Sequence, residues 1–363
     1  MIVHIFTAER YHLVPSIAQG FITTYRSDAQ HRVVLLGSTK THKELYDRLF
    51  READFTDYYF AFTRKQLFDF LRQNKNHSIL FHAGSYIHFI LAFMAGCRHV
   101  NWVCWGSGAS SRKALRLRLV KPLKRWIYNR FDSIITLMNG DRETIIRNFH
   151  VSPSKIHTIS YMSAGEGKNE LDLLAEQLMQ QPQKQKDKII VLLGNNPTCI
   201  GGYIQTLPLL EPYKGKIVVK CMLNYSLVKD ESYERLVRLG TSLFGDDFMT
   251  SEEYYENRDD YLRFINDIDI YICPVERQSG LGAIDYCMRL GKKVYISGKN
   301  YAWEVSQGAE VFHLDLLRKG MSFEEFSQEL PQEAKSQNYQ IKIDTKLACE
   351  KKWHSYLKTL DME

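Results

Sequence analysis

Short apolar runs recur along the chain and alternate with stretches whose apolar positions return every three or four residues. The runs predict buried strands and the stretches predict amphipathic helices. In the first half the spacing predicts strands over residues 2–6, 33–36, 78–82, 100–105, 133–137 and 156–159. It predicts helices over 43–50, 65–73, 86–95, 111–128 and 142–148. Alternation of this kind implies a mostly parallel sheet with helices on both faces.

A polar connector spans about 163–187, and its end is rich in Gln and Lys around Pro182. Beyond it the pattern restarts, with strands over 188–193, 216–220, near Phe248, 269–273, 294–297 and 310–313. The boundaries expected are a first domain over 1–165, a second over 186–345 and a terminal helix over 346–363. The clearest unit is a strand over 269–273, a turn holding Arg277, Gln278, Ser279, Gly280 and Gly282, a helix over about 281–290, Gly291 as its stop, and another strand. The fold class expected is therefore α/β with two Rossmann-like domains in tandem. Their parallel sheets would face an interdomain cleft, the GT-B architecture, with ligands beyond the carboxyl ends of the strands.

Composition agrees with ordinary folded domains: 363 residues, 44% hydrophobic and 25% charged. No apolar run reaches the roughly 20 residues of a membrane span, and the start at Met1 lacks the pattern of a signal peptide. Seven cysteines are scattered without a C-x-x-C pair, which predicts free thiols in a reducing cytoplasm and no zinc cluster. Charge is uneven. Residues 1–160 hold 23 Lys and Arg against 11 acids, and residues 161–363 hold 25 against 31. The basic half suits an anionic surface, either membrane or nucleic acid.

Candidate chemistry centres on the turn at Arg277, Gln278, Ser279, Gly280 and Gly282. A guanidinium and the free N–H groups of a helix start both favour a diphosphate, and charge builds on such a leaving group during glycosyl transfer. Gly194, Asn195 and Asn196 end the first strand of the second domain and offer further donors. Lys220 and Tyr225, then Trp303 and Glu304, follow other strands and are weaker candidates for donor contact. For a general base the choice is Glu9, in the loop after the first strand beside His12, and then His82. From Gly106 to Phe131 no acid occurs, while Arg112, Lys113, Arg116, Arg118, Lys121, Lys124, Arg125 and Arg130 do. With Leu115, Leu119, Leu123, Trp126 and Ile127 at helical spacing, this predicts a basic amphipathic helix on an anionic membrane, kinked or divided at Pro122. Asp267 and Asp269 match a D-x-D metal motif, but they stand at the entry of a strand, the end away from ligands. No metal or other cofactor is expected.

Several of these segments resemble one known family. They are residues 4–12, Phe81 with His82, Trp105 with Gly106 ahead of the basic segment ending at Pro122 and Arg125, Leu193 to Asn195, and Arg277, Gln278, Gly280 and Gly282 with the helix behind them. Together they resemble the bacterial 4-acetamido-4,6-dideoxy-galactose (Fuc4NAc) transferases, glycosyltransferase family 56. The resemblance implies a dTDP-sugar donor and an undecaprenyl-diphosphate-linked saccharide acceptor, as in enterobacterial common antigen synthesis. It also implies a peripheral enzyme on the cytoplasmic face of the bacterial inner membrane. In place of the family's polar stretch after the Gly-Asn turn, this chain has residues 197–202, Pro-Thr-Cys-Ile-Gly-Gly.

Other readings are weaker. A UDP- or GDP-sugar donor with another glycan acceptor fits the same turn. A retaining E-x7-E transferase would need a glutamate where Ser279 stands. An adaptor binding nucleic acid through the basic helix lacks the interleaved aromatics of single-strand readers, so no nucleic-acid partner is expected.

Overall fold

The computed structural model describes residues 1–7, 14–37, 40–106, 115–161, 170–180, 186–223, 229–251, 255 and 258–362. The chain divides into two units, one of residues 1–167 with 346–363 and one of residues 168–345.

The first unit holds seven parallel strands: β1 (Ile2–Thr7), β2 (His31–Leu36), β3 (Tyr58–Ala61), β4 (Ser78–His82), β5 (His99–Cys104), β6 (Ser133–Thr136) and β7 (Ile156–Thr158). Their order across the sheet is β3-β2-β1-β4-β5-β6-β7. All but β3 were expected; β3 is a four-residue run with three aromatics and no alternation. On one face Val3, Ile5, Ile79, Phe81 and Trp102 pack with Leu67, Phe70, Phe89 and Phe131 in a hydrophobic core. The other face carries His4, Phe6, His31 and His82, because the register sets His4 beside Leu80 and Phe6 beside His82. Phe21 from the helix Val14–Thr24 covers both His4 and His82 at ring distances of 4.9 Å. Trp353 lies edge-on to Phe21 at 5.0 Å.

The second unit holds six parallel strands: β8 (Ile189–Leu193), β9 (Ile217–Met222), β10 (Phe248–Ser251), β11 (Ile270–Cys273), β12 (Lys293–Ile296) and β13 (Phe312–His313), in the order β10-β9-β8-β11-β12-β13. Its central strands read as continuous apolar runs because helices bury both faces. Arg289, on the helix Leu281–Arg289, pairs with buried Asp172 of the helix Glu170–Gln180.

Two helices differ from their sequence outline. The basic helix runs over Leu115–Arg130 and continues through Pro122 without dividing there. The terminal helix begins at Gln332 and ends at Met362, well ahead of the expected start. Its early part is anchored by polar contacts that a hydrophobic pattern cannot register. Asn338 bonds both the N–H and the C=O of Glu310, and Lys342 pairs with buried Glu304 at 2.5 Å. All seven cysteines are free. Among the described residues no helix is long and apolar enough to cross a membrane.

Candidate functional site

In each sheet the strand order reverses once, between β8 and β11 in the second unit and between β1 and β4 in the first. Chains leaving neighbouring strands on opposite sides of that point open a crevice beyond the carboxyl ends, where doubly wound sheets hold ligands.

In the second unit this point is built from the turn after β8 and the turn after β11. Gly194 has φ +74°, and an added Cβ would lie 2.1 Å from the Tyr203 ring, so only glycine fits. The Tyr203 hydroxyl accepts from the N–H of Asn195 and Asn196 at 3.1 and 2.9 Å and donates to the Asn196 carbonyl at 2.7 Å. Burial pushes that phenol well above its usual range, so it stays a donor. The arrangement fixes Asn195, which is 7% exposed and whose Oδ1 has no partner among the described residues.

Across from it, Gly280 has φ +71°, and a Cβ there would lie 2.8 Å from Asn195 Oδ1. Gly280 caps the helix Leu281–Arg289, whose first internal bond runs from the Ile284 N–H to the Gly280 carbonyl. The N–H groups of Leu281, Gly282 and Ala283 thus begin a nine-residue helix without an intrahelical partner. An added Cβ at Gly282 would meet nothing within 4 Å. Asn300 locks the turn by donating to the Ser279 carbonyl at 2.7 Å. Arg277 reaches across to Thr198 Oγ1 at 2.8 Å and Cys199 Sγ at 3.4 Å. Gln278 Oε1 and Ser297 Oγ are also buried without a partner among the described residues. Burial pushes the nearby Cys273 thiol up to about 12, which removes it as a nucleophile.

The structure therefore brings together Gly194, Asn195, Asn196, Arg277, Gln278, Ser279, Gly280 and Gly282. Thr198, Tyr203 and Asn300 complete the set, and no local sequence signal marked them. Lys220 lies inside β9 with its ammonium 5.6 Å from the Phe264 ring. Glu304 is buried against Lys342, and desolvation raises its carboxyl. Tyr225, Glu9 and His12 lie outside the described residues, as do Arg112 and Lys113. Arg116 and Arg118 lie on the basic helix. Its described part exposes Lys121, Arg125 and Trp126, half-buries Lys124, and stacks Arg130 over Trp126 at 4.9 Å. Asp269, at the amino end of β11, pairs with Lys186 at 2.7 Å and accepts from the Ile190 N–H. Among the described residues no group of three potential metal ligands occurs.

In the first unit the reversal point lies beside His82. Its Nδ1 is 2.7 Å from the Tyr161 hydroxyl and its Nε2 is 3.0 Å from His4 Nδ1. Burial holds it well below the usual histidine range. With both nitrogens engaged, a proton reaches this ring through Tyr161 or His4.

The family described as 4-alpha-L-fucosyltransferase, glycosyl transferase group 56, matches residues 2–358. No curated protein matches the chain. Among solved structures, the chain is similar to Anabaena HepE in complex with UDP and glucose, at 12% identity over 98% of each chain with a TM-score of 0.69. A glycosyltransferase from Rickettsia africae has 12% identity over 99% of this chain and 98% of that one, with a TM-score of 0.67. The UDP-GlcNAc 2-epimerase from Neisseria meningitidis bound to UDP-GlcNAc has 12% identity over 98% and 99%, with a TM-score of 0.53. At such identities the likeness shows the fold, which is GT-B. Transferases and epimerases share it, so the fold does not choose between their chemistries.

Proposed function

Because the chain belongs to glycosyltransferase group 56 and is therefore a nucleotide-sugar glycosyltransferase, we propose that its donor is a dTDP-linked deoxyamino sugar of the 4-acetamido-4,6-dideoxy-galactose type. The acceptor proposed is a saccharide on undecaprenyl diphosphate, in bacterial surface polysaccharide synthesis of the enterobacterial common antigen kind.

The observation that carries the donor reading is the pairing of Asn195 with the Gly280 turn. A buried amide oxygen without a partner costs free energy, and a ligand bearing a donor relieves it. Asn195 Oδ1 and Gln278 Oε1 suit sugar hydroxyls or an acetamido N–H. The start of the helix Leu281–Arg289 and the Arg277 guanidinium suit the diphosphate. As the bond from the anomeric carbon to the diphosphate breaks, charge grows on the leaving group, and donors already aimed there lower the barrier. This supplies the charge compensation that a metal gives elsewhere, so transfer is proposed to need none. A UDP donor is the second reading, favoured by the UDP named with HepE.

The basic helix supports a peripheral place on the cytoplasmic face of the inner membrane. Exposed Lys121 and Arg125 flank Trp126, which is 49% exposed, and Leu123, which is 37% exposed. Each such cation contributes about 1 kcal/mol near an anionic surface.

The test is a screen of dTDP, UDP and GDP for thermal stabilisation, then of the matching sugars for nucleoside diphosphate release with polyprenyl-diphosphate saccharides. Stabilisation by dTDP above the others is expected. No stabilisation by any of them would remove the second-unit turn as the donor site.

A further inference from the structure

Three helices lie side by side over the hydrophobic face of the first unit's sheet. They are Arg64–Gln73, Tyr86–Met94 and the basic helix, which follow β3, β4 and β5 in turn. The middle one reads Tyr-Ile-His-Phe-Ile-Leu-Ala-Phe-Met and holds no Asp, Glu, Lys or Arg. Its inner side is Phe89 and Ala92, and Phe89 meets Phe81, Trp102 and Phe131 at ring distances of 5.2, 5.5 and 5.0 Å. Positions 86, 90, 93 and 94 come round to the outer side at helical spacing. There Tyr86 is 42% exposed and Met94 69% exposed, with Ile90 and Phe93 partly open. A surface helix of a globular protein turns polar side chains to water. This one turns apolar side chains both inward and outward, a pattern that belongs to helices with apolar surroundings on two sides.

The apolar strip continues onto the next helix. Phe93 meets the edge of the Trp126 ring at 6.2 Å, and the Arg130 guanidinium lies over both rings, 5.1 Å from Phe93 and 4.9 Å from Trp126. Leu123, three positions before Trp126, is exposed with it.

The flanks of the strip are cationic. On one side Arg64–Gln73 carries Arg64, Lys65 and Arg72 against one acid, Asp69. On the other the basic helix carries no acid. The Arg98 N–H bonds the Lys75 carbonyl at 3.0 Å, which brings together two further exposed cations from the ends of adjacent helices. Elsewhere in this unit the helices Lys40–Glu52 and Asn139–Phe149 mix acids with bases, so a single sign of charge is not a property of the whole unit.

We propose that this strip inserts into the headgroup region of an anionic lipid bilayer, with Tyr86, Met94 and Trp126 as the side chains that enter it. The inference rests on the membrane place given above and deepens it: the basic helix supplies attraction, and the apolar helix Tyr86–Met94 supplies insertion. Cations on both flanks meet the lipid phosphates, while the apolar strip between them leaves water. Tyr and Trp suit the level where headgroups meet hydrocarbon. Charge complementarity selects the occupant, since an apolar strip bordered by cations matches a surface that is anionic outside and apolar beneath.

The test is co-flotation of the full chain with vesicles of phosphatidylglycerol and phosphatidylethanolamine. Binding about tenfold or more stronger than to phosphatidylcholine alone is expected. Part of it should survive roughly 0.5 M salt, which screens the cations but not the strip. Met94→Glu should lower the partition coefficient about tenfold or more. Its melting temperature and its stabilisation by dTDP should stay unchanged, because Met94 is exposed and lies outside the donor turn. In a Trp126→Phe background, Met94→Trp should add fluorescence that brominated lipid quenches. Partitioning of Met94→Glu within about threefold of wild type, or a Met94→Trp signal untouched by brominated lipid, overturns the insertion and leaves the basic helix as the contact. Absence of wild-type binding to anionic vesicles overturns the insertion and the membrane place together, while stabilisation by dTDP would still uphold the donor reading. A wild-type dimer in sedimentation that Met94→Glu breaks, without vesicle binding, overturns the proposal in favour of a second copy seated on the strip.

Discussion

β8 in the second unit is Ile-Ile-Val-Leu-Leu, and its polar groups begin only past its last residue, at Gly194 and Asn195. β1 in the first unit has the same place in its sheet, yet it carries His4 at 0% exposure in mid-strand, between two further buried histidines. In the second unit the groups suited to an anionic ligand lie past the strand ends, on backbone N–H groups and one guanidinium. The first unit draws polar groups into the sheet. Backbone donors fixed at strand ends suit an anionic ligand that comes and goes. Buried imidazoles stay neutral, because desolvation disfavours the charged ring.

The sharpest way to break this comparison is Arg277→Ala. The side chain bonds only Thr198, Cys199 and the Gln278 carbonyl among the described residues, so the fold should persist. Removing one donor to a developing charge typically costs 10²–10³-fold in kcat, and nucleoside diphosphate release should fall by roughly that factor. Turnover near wild type, at unchanged melting temperature, would take Arg277 out of the site.

Acid should strike the first unit next. His4 and His82 are held well below the usual range, and His31 below it, chiefly by burial. A lowered folded value means that the unfolded chain binds the proton first. The stabilisation is therefore whole above about pH 6.5 and is lost as pH falls from there toward the folded values. The slope approaches about 1.4 kcal/mol per pH unit for each group. Melting between pH 7.5 and 5 should fall more steeply in wild type than in His4→Phe. Equal slopes would mean that the histidines titrate freely.

Gly282→Ala separates ligand approach from folding. The site is open and helical, so alanine should leave stability unchanged or raise it by up to about 1 kcal/mol. If a diphosphate lies against that backbone, its affinity should fall about tenfold, read as a smaller thermal shift with dTDP. The smallest effect expected is that of EDTA, which should leave turnover unchanged; a loss restored by Mg²⁺ would bring a metal into the site.

Both sheets were legible because parallel strands buried on two sides read as apolar runs. β3 escaped, being four residues long and without alternation. The turn at Gly280 was legible from local glycine spacing, but its partner across the crevice was not. Nothing near Tyr203 announces that its hydroxyl will hold the turn at Asn195, and Asn300 meets Ser279 only after two strands have been laid side by side. His82 stood out as a strand-end histidine. Its bond to His4 spans 78 positions of chain, and only the register of β1 with β4 reveals it.

The terminal helix ties the two units into one order of synthesis. Its later half supplies Trp353, which bonds the Ser160 carbonyl, and Tyr356, at 2.5 Å from Ser133; the Leu360 carbonyl accepts from Ser78. All three seal the first unit, yet they leave the ribosome only after the whole second unit has been made. The unit translated first is thus completed last. Until then its histidine-bearing face, with Phe21, lacks that cover.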